Sequence, residues 1–112
     1  MAFPVPGDVI EQQLDLNQHL IKHPAATFFM RAEGDEPAKG EVHPGDLLIV
    51  DRSLTPKDGS LIVAVINGEL TITRVHHVNG QLTPQSDLQD NPEGMSFEVW
   101  GVVTTLIRSI QP

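Results

Sequence analysis

Six consecutive apolar residues, Leu61–Ile66, run straight into Asn67-Gly68 and then into Glu69-Leu70-Thr71-Ile72-Thr73-Arg74-Val75. Asn and Gly readily hold positive φ at both centres of a tight turn, so this pair predicts a β-hairpin. The apolar run is far too short to span a bilayer and reads as a strand. After the turn the pattern alternates, with Leu70 and Ile72 facing opposite to Thr71 and Thr73. Asn79-Gly80 repeats the signal and predicts a further hairpin into Gln81-Leu82-Thr83.

The rest of the chain agrees. Thr27-Phe28-Phe29-Met30-Arg31 is β-prone, and residues 46–51 form a short apolar strand behind a Pro44-Gly45 turn. Pro56-Lys57-Asp58-Gly59 is another turn, residues 84–94 a polar loop, and residues 95–110 one long or bent strand. One short helix is predicted from Asp15, with Gln18 able to reach back to the cap, and Pro24 ends it. Strands outnumber helices and no βαβ alternation occurs, so the expected fold is mainly β. It is a small single domain of twisted antiparallel sheets with one short N-terminal helix. Residues 1–14 are expected to form an extended arm and residues 15–112 the domain.

Charge narrows the function. Fifteen acidic against seven basic residues give a net charge of −8. The cations (Lys22, Arg31, Lys39, Arg52, Lys57, Arg74 and Arg108) are scattered along the chain, so a phosphate backbone would repel it. Aromatics are sparse and tyrosine is absent, which argues against a stacking platform for single strands. Without cysteine there is no disulfide framework, thiolate metal site or cysteine nucleophile. The histidines at 19, 23, 43, 76 and 77 lack zinc-type spacing, and the adjacent His76 and His77 should point to opposite faces of a strand. No cofactor or metal is expected. No basic-then-apolar leader opens the sequence, so a cytoplasmic location is the expectation.

Several segments occur in a telling order. Phe3-Pro4, Asp15-Leu16-Asn17-Gln18, His23-Pro24, Gly34-Asp35, Gly45-Asp46-Leu47-Leu48-Ile49-Val50-Asp51, Asn67-Gly68-Glu69-Leu70-Thr71 and Val99-Trp100-Gly101-Val102-Val103 follow one another at characteristic spacing. Together they resemble the self-cleaving serine–lysine peptidases of the LexA and UmuD type, and most of all the processed form of UmuD. The resemblance covers nearly the whole chain and implies the β-clip fold of the LexA C-terminal domain.

It also exposes two departures. That family's nucleophilic serine follows Gly-Asp, and here Glu36 follows Gly34-Asp35. The family's lysine base lies shortly after a Gly-Glu pair, which places it at Thr73, with Arg74 next. A carboxylate is a poor nucleophile toward a peptide carbonyl, and an arginine, whose pKa exceeds about 12, cannot serve as a base. No catalytic residue is therefore expected, the degenerate dyad positions being Glu36 and Thr73 beside Asp35 and Arg74. An ion pair between Arg74 and Glu36 is one way such a site would be filled. The family's scissile Ala-Gly or Cys-Gly dipeptide is also missing, and the sequence starts about where processed UmuD starts.

The resemblance implies a homodimer that joins a Y-family polymerase catalytic subunit, helped indirectly by the RecA filament, in SOS mutagenesis. Under that reading the chain is a non-catalytic accessory subunit of a translesion polymerase, with no direct contact to nucleic acid or membrane. A LexA-like regulator fragment, a mobile-element antagonist and an active self-cleaving serine peptidase are the alternatives. A long C-terminal strand with an exposed edge would suit a dimer seam, with Val99, Val103 and Leu106 packing in the core or at the interface.

Overall fold

A computed structural model of the chain describes residues 16–33, 41–85 and 97–110. The first element, α1 (Leu16–Leu20), is a short helix whose last turn closes through the Ile21 amide donating to the Asn17 carbonyl. Its expected cap at Asp15 lies outside the described residues. Pro24 forces His23 out of helical geometry (φ −132°, ψ 80°) and opens a single 3-10 turn, Pro24–Ala26. From there every regular element among the described residues is a strand: β1 (Thr27–Arg31), β2 (Leu47–Asp51), β3 (Leu61–Ile66), β4 (Glu69–Val78), β5 (Gln81–Pro84) and β6 (Phe97–Ile107).

These strands form a six-stranded antiparallel sheet of order β1-β2-β6-β3-β4-β5. Both Asn-Gly pairs make the turns expected of them. Asn67 and Gly68 sit at φ +51° and +85°, and Asn79 and Gly80 at +54° and +79°, so each hairpin has positive φ at both centres. β4 runs three residues past Val75, because its second half turns from β3 to pair with β5. Pro84, expected to begin the polar loop, is instead the last residue of β5, on an outer strand where a missing N–H is tolerated. The remainder of that loop, residues 86–96, falls outside the described residues.

The largest correction concerns the C-terminal strand. β6 is not an edge. It lies between β2 and β3, hydrogen-bonded to both, so its backbone is not free to form a seam. It bends as expected, at two bulges where Trp100 and Thr104 are the extra residues opposite Val63/Ala64 and Ile49/Val50. Gly101 is required between them by packing, since a Cβ there would stand 2.5 Å from Val50 Cγ1.

The all-apolar β3 now has its reason. Leu61 and Val63 join Leu48, Val50, Ile72, Ala32 and Val42 on one face, while Ile62 and Ala64 join Val75 and Val102 on the other. A strand buried on both sides has no place for alternation. Complete burial of a side chain such as Ile62 stabilises by about 1.5–3 kcal/mol. Val103 and Leu106 pack on the first cluster and Val99 on the second, each half-buried.

Candidate functional site

Thr73 lies in the middle of β4, directly across from Ile62 of β3, and is 2 % exposed. Its hydroxyl has one proton and two acceptors in reach: the Gln85 carbonyl at 2.8 Å and the Arg74 carbonyl at 3.1 Å. The Gln85 amide answers by donating to the Arg74 carbonyl at 2.7 Å, which fastens the chain leaving β5 onto β4. The threonine is thus a structural clasp, with its proton given to backbone. A lysine at this depth would be stripped of water and pushed toward its neutral, basic form. Threonine has no such state to offer. Asp35 and Glu36 lie outside the described residues.

Arg74 faces the other way, paired across the sheet with Leu61. Its guanidinium grips the Glu41 carboxylate, with Nε 3.1 Å from Oε1, and donates through Nη1 to the Gly59 carbonyl at 2.7 Å. Among the described residues Arg74 is paired with Glu41, and the pair expected with Glu36 falls on a residue outside them. Arg74's hydrogen bond holds the Glu41 carboxyl below its ordinary value. Arg108, just past β6, donates to the Glu41 backbone carbonyl at 3.0 Å. Two arginines distant in sequence thus anchor one residue by its side chain and its main chain.

Arg108 has a second and stronger attachment. Its Nε and Nη2 reach both oxygens of Asp46, at 2.8 and 2.7 Å, a bidentate geometry. Asp46 is 2 % exposed and also accepts from the His43 amide at 2.7 Å. Arg108's hydrogen bonds, with the His43 amide adding to them, lower the Asp46 carboxyl to about 2. At the other end of β2, buried Asp51 accepts the Ser53 amide and hydroxyl at 2.8 and 2.6 Å on one oxygen. Its other oxygen is 2.6 Å from His23 Nδ1. These bonds, Ser53's first, depress the Asp51 carboxyl.

Asp46 and Asp51 thus bracket β2 with satisfied buried carboxylates. Sequence reading found the motif that holds them but not their task. A lone acid closing each end of an apolar run was the available signal; the partners, 62 and 28 residues away, were not readable. Beside β1 an open groove of about 420 Å³ is lined by Met30, Arg31, Glu33, Val63, Leu70 and Ile72. Among the described residues, no three His, Cys, Asp or Glu side chains stand together as a metal site. No helix among them is long and apolar enough to cross a membrane.

The Peptidase S24-like family model matches residues 4–103. The chain belongs to that family. It is 39 % identical to Protein MucA of Salmonella typhimurium over 114 residues, 92 % of this chain and 75 % of MucA. With Protein ImpA of the same organism it shares 41 % identity over 116 residues, covering 96 % of this chain and 77 % of ImpA. A more distant relative, the LexA repressor of Dechloromonas aromatica, is 29 % identical over 91 residues, 76 % of this chain and 45 % of the repressor. The S24-like match agrees with the resemblance read from the Gly-Asp and Asn-Gly-Glu segments, and with the mainly β architecture.

Proposed function

We propose that this chain is a catalytically inactive S24-like protein that serves as an accessory subunit of an error-prone Y-family translesion polymerase. In this reading it forms a homodimer in the cytoplasm, equivalent to the processed form of UmuD, and the RecA filament acts only indirectly. The observation that carries the proposal is Thr73. At position 73, where the resemblance to the family puts its base, the side chain is a buried hydroxyl committed to the Gln85 carbonyl. Glu36 at the nucleophile's place has no oxygen suited to attack a peptide bond. With neither role filled, what the fold has left to offer is surface, and its net charge of −8 suits protein partners better than DNA.

Two experiments test this. Light scattering on a size-exclusion column, with the Y-family catalytic subunit of the same genome, should give a stable two-to-one complex. A dimer that ignores the polymerase counts against the accessory role. Separately, the chain incubated with activated RecA filaments and a family precursor should produce no cleavage. Glu36→Ser alone should remain inert for want of a base, whereas Glu36→Ser with Thr73→Lys should cleave the precursor in trans. Cleavage by the unaltered chain would return it to the enzymes.

A further inference from the structure

With β6 enclosed, the sheet has two outer strands, β1 and β5. β5 is four residues long and ends in proline, which suits it poorly as a template. β1 is different. The Ala26 carbonyl accepts from Arg52, and both backbone groups of Ala32 bond across to Gly45 and Asp46. Because bonding alternates along an antiparallel pair, Phe28 and Met30 also turn their backbone toward β2. Thr27 spends its amide on the Pro24 carbonyl. The Thr27 carbonyl and both backbone groups of Phe29 and Arg31 are therefore directed outward, and among the described residues no strand pairs with that side. No lysine, proline or bulge guards Thr27–Arg31.

Charge narrows what such an edge can accept. The sequence carries fifteen acidic residues, yet none falls between Leu16 and Ala32, where Lys22 and Arg31 stand. Asp46 and Asp51, at the two ends of β2, are buried and already engaged by Arg108, Ser53 and His23. Arg31 and Arg52 are not so neutralised. Arg31 donates to the Gly45 carbonyl at 3.0 Å and Arg52 to the Trp100 carbonyl at 2.8 Å, and among the described residues neither meets a carboxylate. Exposed Glu33 marks where this positive stretch stops. Aromatic surface lies beside these cations: Phe28 and Phe29 are 44 % and 57 % exposed. Phe28 stacks edge-on against Trp100 with ring centroids 5.4 Å apart, and Trp100 sits under the Arg52 guanidinium, 4.3 Å from its ring centroid. An unpaired strand edge that joins apolar side chains to uncompensated cations, on an otherwise acidic molecule, fits an extended guest bearing apolar side chains and a carboxylate.

We infer that β1 is a docking edge for an extended, acidic segment of the polymerase subunit, which adds antiparallel along Thr27–Arg31 as a further strand. The guest residue opposite Phe29 exchanges both backbone hydrogen bonds with it. Two places earlier in the guest stands the residue opposite Arg31, and a carboxylate there meets the guanidinium as a cross-strand ion pair. The guest residue opposite Phe28 lies beside the Phe28–Trp100–Arg52 cluster, whose aromatic and arginine side chains are of the kind that carry binding energy in interfaces. Main-chain bonds supply the attachment and alternate side chains the choice of guest. The inference rests on the accessory-subunit reading for the identity of the partner, and assigns that partner a surface.

Residue-resolved hydrogen exchange, in the complex with the Y-family catalytic subunit of the same genome, tests the edge directly. Exchange at the Phe29 and Arg31 amides should slow about tenfold or more when the complex forms. A complex that leaves both unchanged overturns the docking edge and spares the accessory role. Slow exchange at both in the chain alone also overturns it, because the edge is then covered before the polymerase arrives. Phe29→Pro deletes an outward donor and no bond to β2, so binding should weaken about tenfold with circular dichroism unchanged. Arg31→Glu should weaken binding by roughly three- to tenfold. Binding at full strength in either folded variant overturns the proposal, and if Phe29→Pro fails to fold, Arg31→Glu and the exchange rates still decide. Should no complex form, the accessory reading falls, and the acetylated, amidated peptide Thr-Asp-Val-Phe-Val-Thr decides the edge alone. Amide shifts along Thr27–Arg31 that are lost when its Asp is replaced by Lys support the edge. No shift at millimolar peptide, or equal shifts with the Lys peptide, overturn it.

Discussion

β2 and the middle of β4 both descend from the motifs by which the family is recognised, yet they treat those motifs oppositely. β2 keeps its Gly-Asp opening and its closing Asp, and each carboxylate is a buried junction: Asp46 with Arg108 and His43, Asp51 with Ser53 and His23. At β4, position 73, which we propose as the counterpart of the family's lysine, holds a threonine, and the neighbouring Arg74 has turned outward to an exposed partner, Glu41. The difference separates two reasons for a residue to be where it is. An acid that holds two neighbours in place is needed by the fold, whatever the chemistry. A base is needed only by a reaction, and a hydroxyl that clasps Gln85 keeps the sheet closed without one.

Substitutions in the two regions should differ accordingly. Leu48→Ala, in the fully buried centre of β2, should cost about 2–5 kcal/mol in urea unfolding. Asp46→Ala should follow, since it leaves the Arg108 guanidinium without its main partner and the His43 amide without an acceptor. The loss should exceed that of any substitution at Arg74. If the two prove equal, the contrast between the regions fails.

Acid titration sharpens the same point. The folded Asp46 carboxyl is depressed to about 2 from an ordinary value near 3.8. It therefore contributes stability that is fully present above about pH 5 and is lost as pH falls through 4 toward 2. Asp51 and Glu41 are depressed too and add to the same limb. Asp46→Asn should shallow the acid limb of a stability–pH profile, while Glu41→Gln should change it little, because that pair is solvated.

At the β4 site the effects should be smaller. Thr73→Val removes one buried hydroxyl and frees the Gln85 carbonyl, for about 0.5–1.5 kcal/mol. Glu41→Gln breaks an exposed pair and should cost about 1 kcal/mol or less. A loss at Thr73 as large as that at Leu48 would show that the threonine is a keystone rather than a replacement.

Much of this was legible in the residues. Both hairpins followed from Asn-Gly, because the turn geometry is set by two adjacent residues and needs nothing distant. β1, β2 and β3 were found for the same local reason. What escaped was pairing at long range. A strand of apolar residues at the end of a sequence looks alike whether it lies outermost or innermost, so β6 was mistaken for an edge. Its neighbours, 31 to 60 residues earlier, are chosen by fit and not by any local signal. For the candidate site, position 73 could be found by counting from Gly68-Glu69, but the Gln85 carbonyl that occupies its hydroxyl could not.

The central place of β6 has a consequence for how the molecule assembles. β1 and β2 form one unit, and β3, β4 and β5 another, and no strand pairing joins the two until β6 enters between them. Until then β2 and β3 each carry a row of unpaired amides and carbonyls beside apolar side chains, the condition that invites aggregation. Closure of the sheet therefore waits for the strand that comes last among the described residues, and its insertion should be the slow step of refolding. Substitutions along Phe97–Ile107 should retard refolding more than they hasten unfolding, the reverse of what a late-docking strand at the margin of a sheet would do.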